Sequence, residues 1–116
     1  MIQEDPLIYS VAVAKPELDP ESLMKSYFIF GEHSRELISA ETGLHLLLQI
    51  CGEEPSSIDI DTILQSTQFL MVLNSNPASR IKVENGAYCQ RMNENEVDIN
   101  RNWDAHWEKV IIAMND

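Results

Sequence analysis

Residues 27–37 read Tyr27-Phe28-Ile29-Phe30-Gly31-Glu32-His33-Ser34-Arg35-Glu36-Leu37. Four apolar residues of β character run into a glycine, then a histidine and, three residues later, a glutamate. Beyond them lies a long segment with helical periodicity. A strand that hands over to a helix through polar residues is how α/β proteins build sites, because the strand's carboxyl end opens into a crevice. His33 brings an imidazole nitrogen and Glu36 a carboxylate oxygen. At i and i+3, two such metal-ligand types can face one way over a single turn. Taken alone, the pair also reads as a solvated loop histidine and a helix-start glutamate that suits the dipole.

The flanks predict an α/β fold. Leu7–Ala14 is β-rich and partly alternating, a strand closed by Lys15-Pro16. Ser26–Phe30 is apolar on consecutive residues, as expected of a strand buried on both faces in a parallel or mixed sheet. Ser34–Cys51 is the strongest helix, with Leu37, Ile38, Leu44, Leu47, Leu48 and Cys51 as its expected apolar face. Gly43 inside it points to close packing, since glycine there costs about 1 kcal/mol against alanine. Gly52 stands where a left-handed C-terminal residue belongs, and His45 reads as a surface histidine. Ile60–Leu64 forms a helical turn, and Gln68–Leu73 is a third apolar strand. Strand, helix and strand in this order predict a right-handed βαβ unit.

From Asn74 to Asn102 the chain is polar and reads as one long irregular loop, the kind that carries function. Its end, Arg91-Met92-Asn93-Glu94-Asn95-Glu96-Val97-Asp98-Ile99-Asn100-Arg101-Asn102-Trp103, gathers amides and guanidinia. Read as extended, it places Asp98, Asn100 and Asn102 on one side. Asn100 and Arg101 together suit a small anion such as a carboxylate. A hydrophilic surface loop is the plainer alternative.

Composition narrows the partners. The 116 residues are expected to be one domain at most, with a net charge of −11. That balance argues against nucleic acid and against an anionic membrane surface. There is no apolar run of membrane-spanning length, and Met1–Pro6 is acidic without the basic region of a signal peptide, so the compartment stays open. Two cysteines, Cys51 and Cys89, make no disulfide framework, and Cys51 is expected in the core.

The two motifs, Gly31-Glu32-His33-Ser34-Arg35-Glu36 and Arg91-Met92-Asn93 with Val97-Asp98-Ile99-Asn100-Arg101-Asn102-Trp103, together resemble the zinc carboxypeptidases of the carboxypeptidase A-like family. Val72-Leu73-Asn74 before Asn76-Pro77 sits between them as the family's strand does. The resemblance covers about Leu7 to Trp107 and implies part of a three-layer α/β/α domain with a mixed sheet. It implies Zn2+ held by His33 and Glu36, and Arg91 polarising the scissile carbonyl. It further implies Asn100 and Arg101 gripping the substrate's terminal carboxylate, and Arg35 at a substrate subsite. The expected partner is a peptide or protein with a free C-terminus. The family's third ligand, a histidine, and its general-base glutamate belong further downstream. Residues 1–116 are therefore expected to be the N-terminal part of such a catalytic domain, truncated. His106 is expected at the surface or stacked rather than on the metal. Glu96 stands where the family has glycine, an arrangement that costs about 1–2 kcal/mol if that turn needs a positive φ.

The alternative function is a non-catalytic remnant that binds C-terminal carboxylates or acts as an acidic interaction domain. Either way, a family sheet cut at both ends leaves edges and apolar faces uncovered. The 116-residue chain is thus expected to melt with low cooperativity and to self-associate. Thermal denaturation with light scattering checks this, and a cooperative, monomeric melt would count against it.

Overall fold

The computed structural model describes residues 6–105, and the sequence expectations for the N-terminal residues, His106 and the tail fall outside them. Strands β1 (Ser10–Val13), β2 (Met24–Ile29) and β3 (Thr67–Val72) form one sheet in the order β1-β3-β2. β3 pairs antiparallel with β1, Ser10 opposite Val72 and Val13 opposite Phe69. It pairs parallel with β2, Met24 opposite Thr67 and Ile29 opposite Val72. The sheet is therefore mixed, and the connection from β2 to β3 carries helices α1 (Leu37–Ile50) and α2 (Ile60–Leu64). A third helix, α3 (Pro77–Glu84), follows β3.

One face of the sheet holds the core. Met71 in the central strand is fully buried and packs with Ile50 of α1 and Leu64 of α2. Val13, Phe30, Leu46, Leu47, Ile60, Phe69 and Leu73 ring this centre. Phe28 stacks on Phe30 at 6.1 Å between centroids and tilts against Phe69 at 6.0 Å. The opposite face is open: Tyr27 is 57% exposed and Leu70 43%. The expectation that the second strand is buried on both faces is thus corrected. Alternating side chains point to opposite faces, and only the face with Phe30, Phe69 and Met71 is covered among the described residues, Phe28 at its edge staying exposed. β1 is also shorter than expected, since Leu7, Ile8 and Tyr9 lie exposed before its first pair.

Helix α1 faces the sheet differently from its large-residue pattern. Its buried positions are Ala40, Gly43 and Ile50, with Leu47 at the core's rim. Ile38 is 75% exposed and Leu44 45%, and Cys51 is exposed too, so the expected face and the expected core cysteine are corrected. The reason is steric. A Cβ on Gly43 would lie 2.5 Å from Phe30 Cδ2 and 2.7 Å from Cγ. Small side chains at 40 and 43 let the helix sit directly on the Phe30 ring, and that approach outweighs the burial offered by Ile38 and Leu44. The helix ends as its glycine predicts. Gly52 has φ +77, its N–H reaches Gln49 O, and Glu53 N–H reaches Leu48 O at 2.9 Å.

Helix α3 corrects the reading of residues 74–102 as irregular throughout. Asn76 stands at its N-cap position without a side-chain cap bond, and Pro77 occupies its first position. Asn85 and Gly86 (φ +107) stop it, with Ala87 N–H on Lys82 O at 3.0 Å. Its buried residues are Ser79 and Val83, a stripe too narrow and polar to show in hydrophobic periodicity. Arg80 fastens it to α1: Nη2 meets Glu41 at 2.6 Å, Nε meets Glu84 at 2.8 Å, and Nη1 reaches Leu37 O at 3.5 Å.

Gly43→Ala tests the helix–sheet contact. Alanine gains about 1 kcal/mol of helix propensity, whereas overpacking against the root of the Phe30 ring costs about 1–3 kcal/mol. The expected outcome is a net loss of stability, read as a lower urea midpoint at unchanged slope. A raised midpoint would show that the ring moves aside freely.

Candidate active site

β2 runs out at Ile29, yet Phe30 N–H still bonds Val72 O at 2.9 Å, and Phe30 O accepts from Ser75 N–H at 2.9 Å. The chain then turns sharply at Gly31, φ +69, where a Cβ would meet Asn74 Oδ1 at 2.8 Å. Gly31 N–H is taken by Ser39 Oγ at 3.0 Å. These bonds fix where His33 leaves the sheet. Helix α1 starts at Leu37 rather than Ser34, because residues 33–36 form a separate turn, with Glu36 N–H on His33 O at 3.1 Å. Glu36 is the N-cap residue, but its carboxylate does not cap. It faces His33 instead, with Oε1 3.0 Å from Nδ1.

The other wall comes from residues 90–101. Buried Ser34 draws it in: its Oγ donates to Gln90 O at 2.8 Å and its N–H to Arg91 O at 3.3 Å. Asn93 then folds the chain back. Its Oδ1 accepts from Asn95 N–H and Val97 N–H at 3.0 and 2.9 Å, and its N–H donates to Val97 O at 3.0 Å. The turn puts Glu96 at φ +60, so the cost set out above for a positive φ at this position applies. Asp98 thereby returns beside Arg91. It caps a 3-10 turn at Ile99–Arg101, so the expected extended arrangement of Asp98, Asn100 and Asn102 is corrected. The Asx cap supplied by Asp98 is a local bond that an extended segment would forfeit.

Asp98 is the hub. Oδ1 lies 3.1 Å from His33 Nε2 and accepts from Asn100 N–H at 3.1 Å. Oδ2 accepts from Arg91 Nε at 2.8 Å. Burial raises the Asp98 carboxyl, but the hydrogen bonds and charges of Arg91 and His33 outweigh it and hold the group below its ordinary value. Arg91 Nη1 also stands 3.6 Å from Glu36 Oε1. Two pairs from distant parts of the chain, His33 with Glu36 and Arg91 with Asp98, thus form one cluster. The chain around residue 98 also carries the exposed Asn100 and Arg101 with it. Arg101 Nη1 donates to Asn100 O at 2.8 Å. Arg35 is exposed, and no ion pair joins it to the cluster among the described residues. Asp98 was not singled out in sequence; the signal was a carboxylate directly before a three-residue turn, an Asx cap.

The imidazole carries the chemistry of the pair. In the tautomer that donates Nε2–H to the Asp98 carboxylate, Nδ1 presents its lone pair to Glu36 Oε1. Two acceptors 3.0 Å apart then need a proton or a cation between them. Two bonds of about 2.0–2.1 Å at a tetrahedral angle separate their donors by about 3.3 Å, close to this spacing. A carboxylate on the far nitrogen is the usual outer partner of a metal-bound histidine. The donor set therefore fits a zinc ion, as two ligands. No group of three histidine, cysteine or acidic side chains is arranged to hold a metal among the described residues. Nor is any helix among them long and apolar enough to cross a membrane.

The scaffold is a mixed sheet with a histidine–glutamate pair beyond the end of a parallel strand, backed by a carboxylate and an arginine. The sequence model of the zinc carboxypeptidases matches residues 8–116, and the chain belongs to that family. Among solved structures it is similar to thrombin activatable fibrinolysis inhibitor, with a TM-score of 0.74 at 20% identity. That match covers 85% of this chain and spans 26% of the length of the other, and it establishes the carboxypeptidase fold. Comparison with curated proteins gives no match.

The lowered Asp98 carboxyl fixes a direction with pH. Its stabilising contribution is complete above the unfolded carboxylate value of about 3.9 and is lost as pH falls through the lower folded value. Asp98→Asn is expected to cost about 1–3 kcal/mol at neutral pH. The gap to wild type should close as pH drops below about 4. Urea melts of both proteins across that range check it, and a gap independent of pH would contradict the network.

Proposed function

We propose that this chain contributes to a zinc-dependent carboxypeptidase, with His33 and Glu36 as two of its metal ligands. The observation that supports this most strongly is the His33 ring, whose Nδ1 faces Glu36 while Nε2 is fixed by Asp98. When bound, zinc would polarise the scissile carbonyl and make its water acidic enough to attack near neutral pH. The chain's own residues do the rest of what can be assigned here. Asp98 keeps Nε2 as the donor, so Nδ1 stays free to ligate. Arg91, anchored through Nε, presents its remaining N–H groups beside Glu36, where they would stabilise negative charge developing on the carbonyl oxygen. Asn100 and Arg101, exposed on the 3-10 turn, would grip the terminal carboxylate of a peptide. Arg35, on the exposed rim beside Ser34, would meet the peptide upstream of its last residue.

A second reading is a module that binds C-terminal carboxylates without turnover. It is supported by the exposure of both Asn100 and Arg101 alongside only two convergent metal donors among the described residues.

Both readings require recognition of the terminal carboxylate. A dipeptide with a free C-terminus is expected to bind the 116-residue chain at least about ten-fold tighter than its C-terminal amide. Arg101→Ala should erase that preference, and His33→Ala should remove zinc binding while leaving it. Isothermal titration with the peptide pair and with zinc separates these outcomes. Equal binding of acid and amide would sink the reading. Tight equimolar zinc lost on His33→Ala would favour the catalytic form over the bare module.

A further inference from the structure

Glu32 stands between Gly31 and His33 and plays no part in the cluster described above. It is nonetheless held at both ends. Its backbone carbonyl accepts from Nδ2 of buried Asn76, at the start of α3, at 3.2 Å. Its carboxylate Oε1 accepts from Trp103 Nε1 at 3.1 Å, across 71 residues of sequence. Trp103 comes two residues after Arg101, just beyond the 3-10 turn that presents Asn100 and Arg101. That turn is therefore anchored twice to the β2–α1 connection: at its start by Asp98 on His33, and at its exit by Trp103 on Glu32. Between these anchors the Asn100 and Arg101 side chains are exposed, and nothing else from outside the turn bonds them among the described residues.

We propose that Glu32 is a positioning residue for the carboxylate grip: its hydrogen bond to the Trp103 indole holds the 99–103 turn in register with His33 and Glu36. The inference rests on the carboxylate-binding reading of Asn100 and Arg101, while the Glu32–Trp103 contact stands independently of it. Two anchors are needed because one pivot at Asp98 leaves the turn free to swing. Trp103 suits the second because its indole N–H is a donor only and its ring resists reorientation. Glu32 suits it because its carboxylate is an acceptor only. Among the described residues no hydrogen bond or ion pair joins Asn100 or Arg101 to Glu32, so its effect on a bound carboxylate passes through the turn.

The test uses the 15N-labelled 116-residue chain. The sequence has two tryptophans, so Trp103→Phe identifies the Trp103 indole cross-peak. Glu32→Ala is expected to shift that peak upfield and to move or broaden the amides of Asn100 and Arg101. It should also weaken the free-acid dipeptide about five-fold. Glu32→Gln keeps an acceptor oxygen in place and is expected to restore the amide positions and the affinity. A general loss of structure would move the core amides around Met71 as well, and the Gln variant separates that case from the proposal. Unchanged indole and turn amides in Glu32→Ala would overturn it, as would Glu32→Gln behaving like Glu32→Ala. If the wild-type chain binds no carboxylate, the functional reading fails, and the indole and amide signals still decide whether Glu32 positions the turn.

Discussion

The carboxylate of Asp98 is shared among the His33 ring, the Arg91 guanidinium and the backbone of the turn that follows it. Each would be a weak contact if solvated. In a largely buried site the donors lie in a lower dielectric, and charge-assisted bonds there are about twice as strong as neutral ones. The site depends on this sharing. Without Asp98 the imidazole has no reason to keep one nitrogen free, Arg91 has no fixed root, and the 3-10 turn has no cap. The backbone around it serves the same end. Ser34 pulls residues 90–91 against the β2–α1 connection, and Asn93 folds the chain so that Asp98 returns to meet it.

The sheet supplies what the side chains cannot, a fixed starting point. Phe30 continues the β3 pairing one residue beyond β2, and Gly31 turns the chain where any Cβ would strike Asn74. Because α1 rests on the Phe30 ring through Gly43, the helix that follows Glu36 cannot roll away from the strand that precedes His33. Arg80 adds a third tie, from α3 to the first turns of α1. The His33–Glu36 pair thus sits at the junction of three elements whose packing is set by contacts that do not involve it.

Much of this was legible in the sequence, and the exceptions have physical causes. The three strands, α1 and α2 follow from runs of β-branched, aromatic and leucine residues, the parallel β2–β3 pair from the order strand, helix, strand, and the mixed sheet from the resemblance to the zinc carboxypeptidases. Gly52 and Glu96 were read correctly because backbone handedness is a local property. The face of α1 was not, because Ile38 and Leu44 look buried by type while Ala40 and Gly43 are buried by fit. Helix α3 was hidden by a buried stripe of only Ser79 and Val83, although its Asn76-Pro77 start and Asn85-Gly86 stop were visible. The pairing of His33 with Glu36 was foreseeable from spacing. Its partnership with Asp98 was not, since nothing local in sequence announces a contact 65 residues away.

That separation also bears on the order in which the molecule assembles. The βαβ connection closes through short-range helical contacts and one parallel pairing, whereas the cluster needs residues 33 and 98 to meet after everything between them is in place. Loop-closure entropy makes such distant contacts the late ones. The last structure to form rests on few apolar contacts and many polar ones, so it is also the first to open. The ties that hold residues 90–103 to the β2–α1 connection come from Ser34, His33 and Glu32, so they stand apart from the apolar core around Met71 and draw on a different kind of bond.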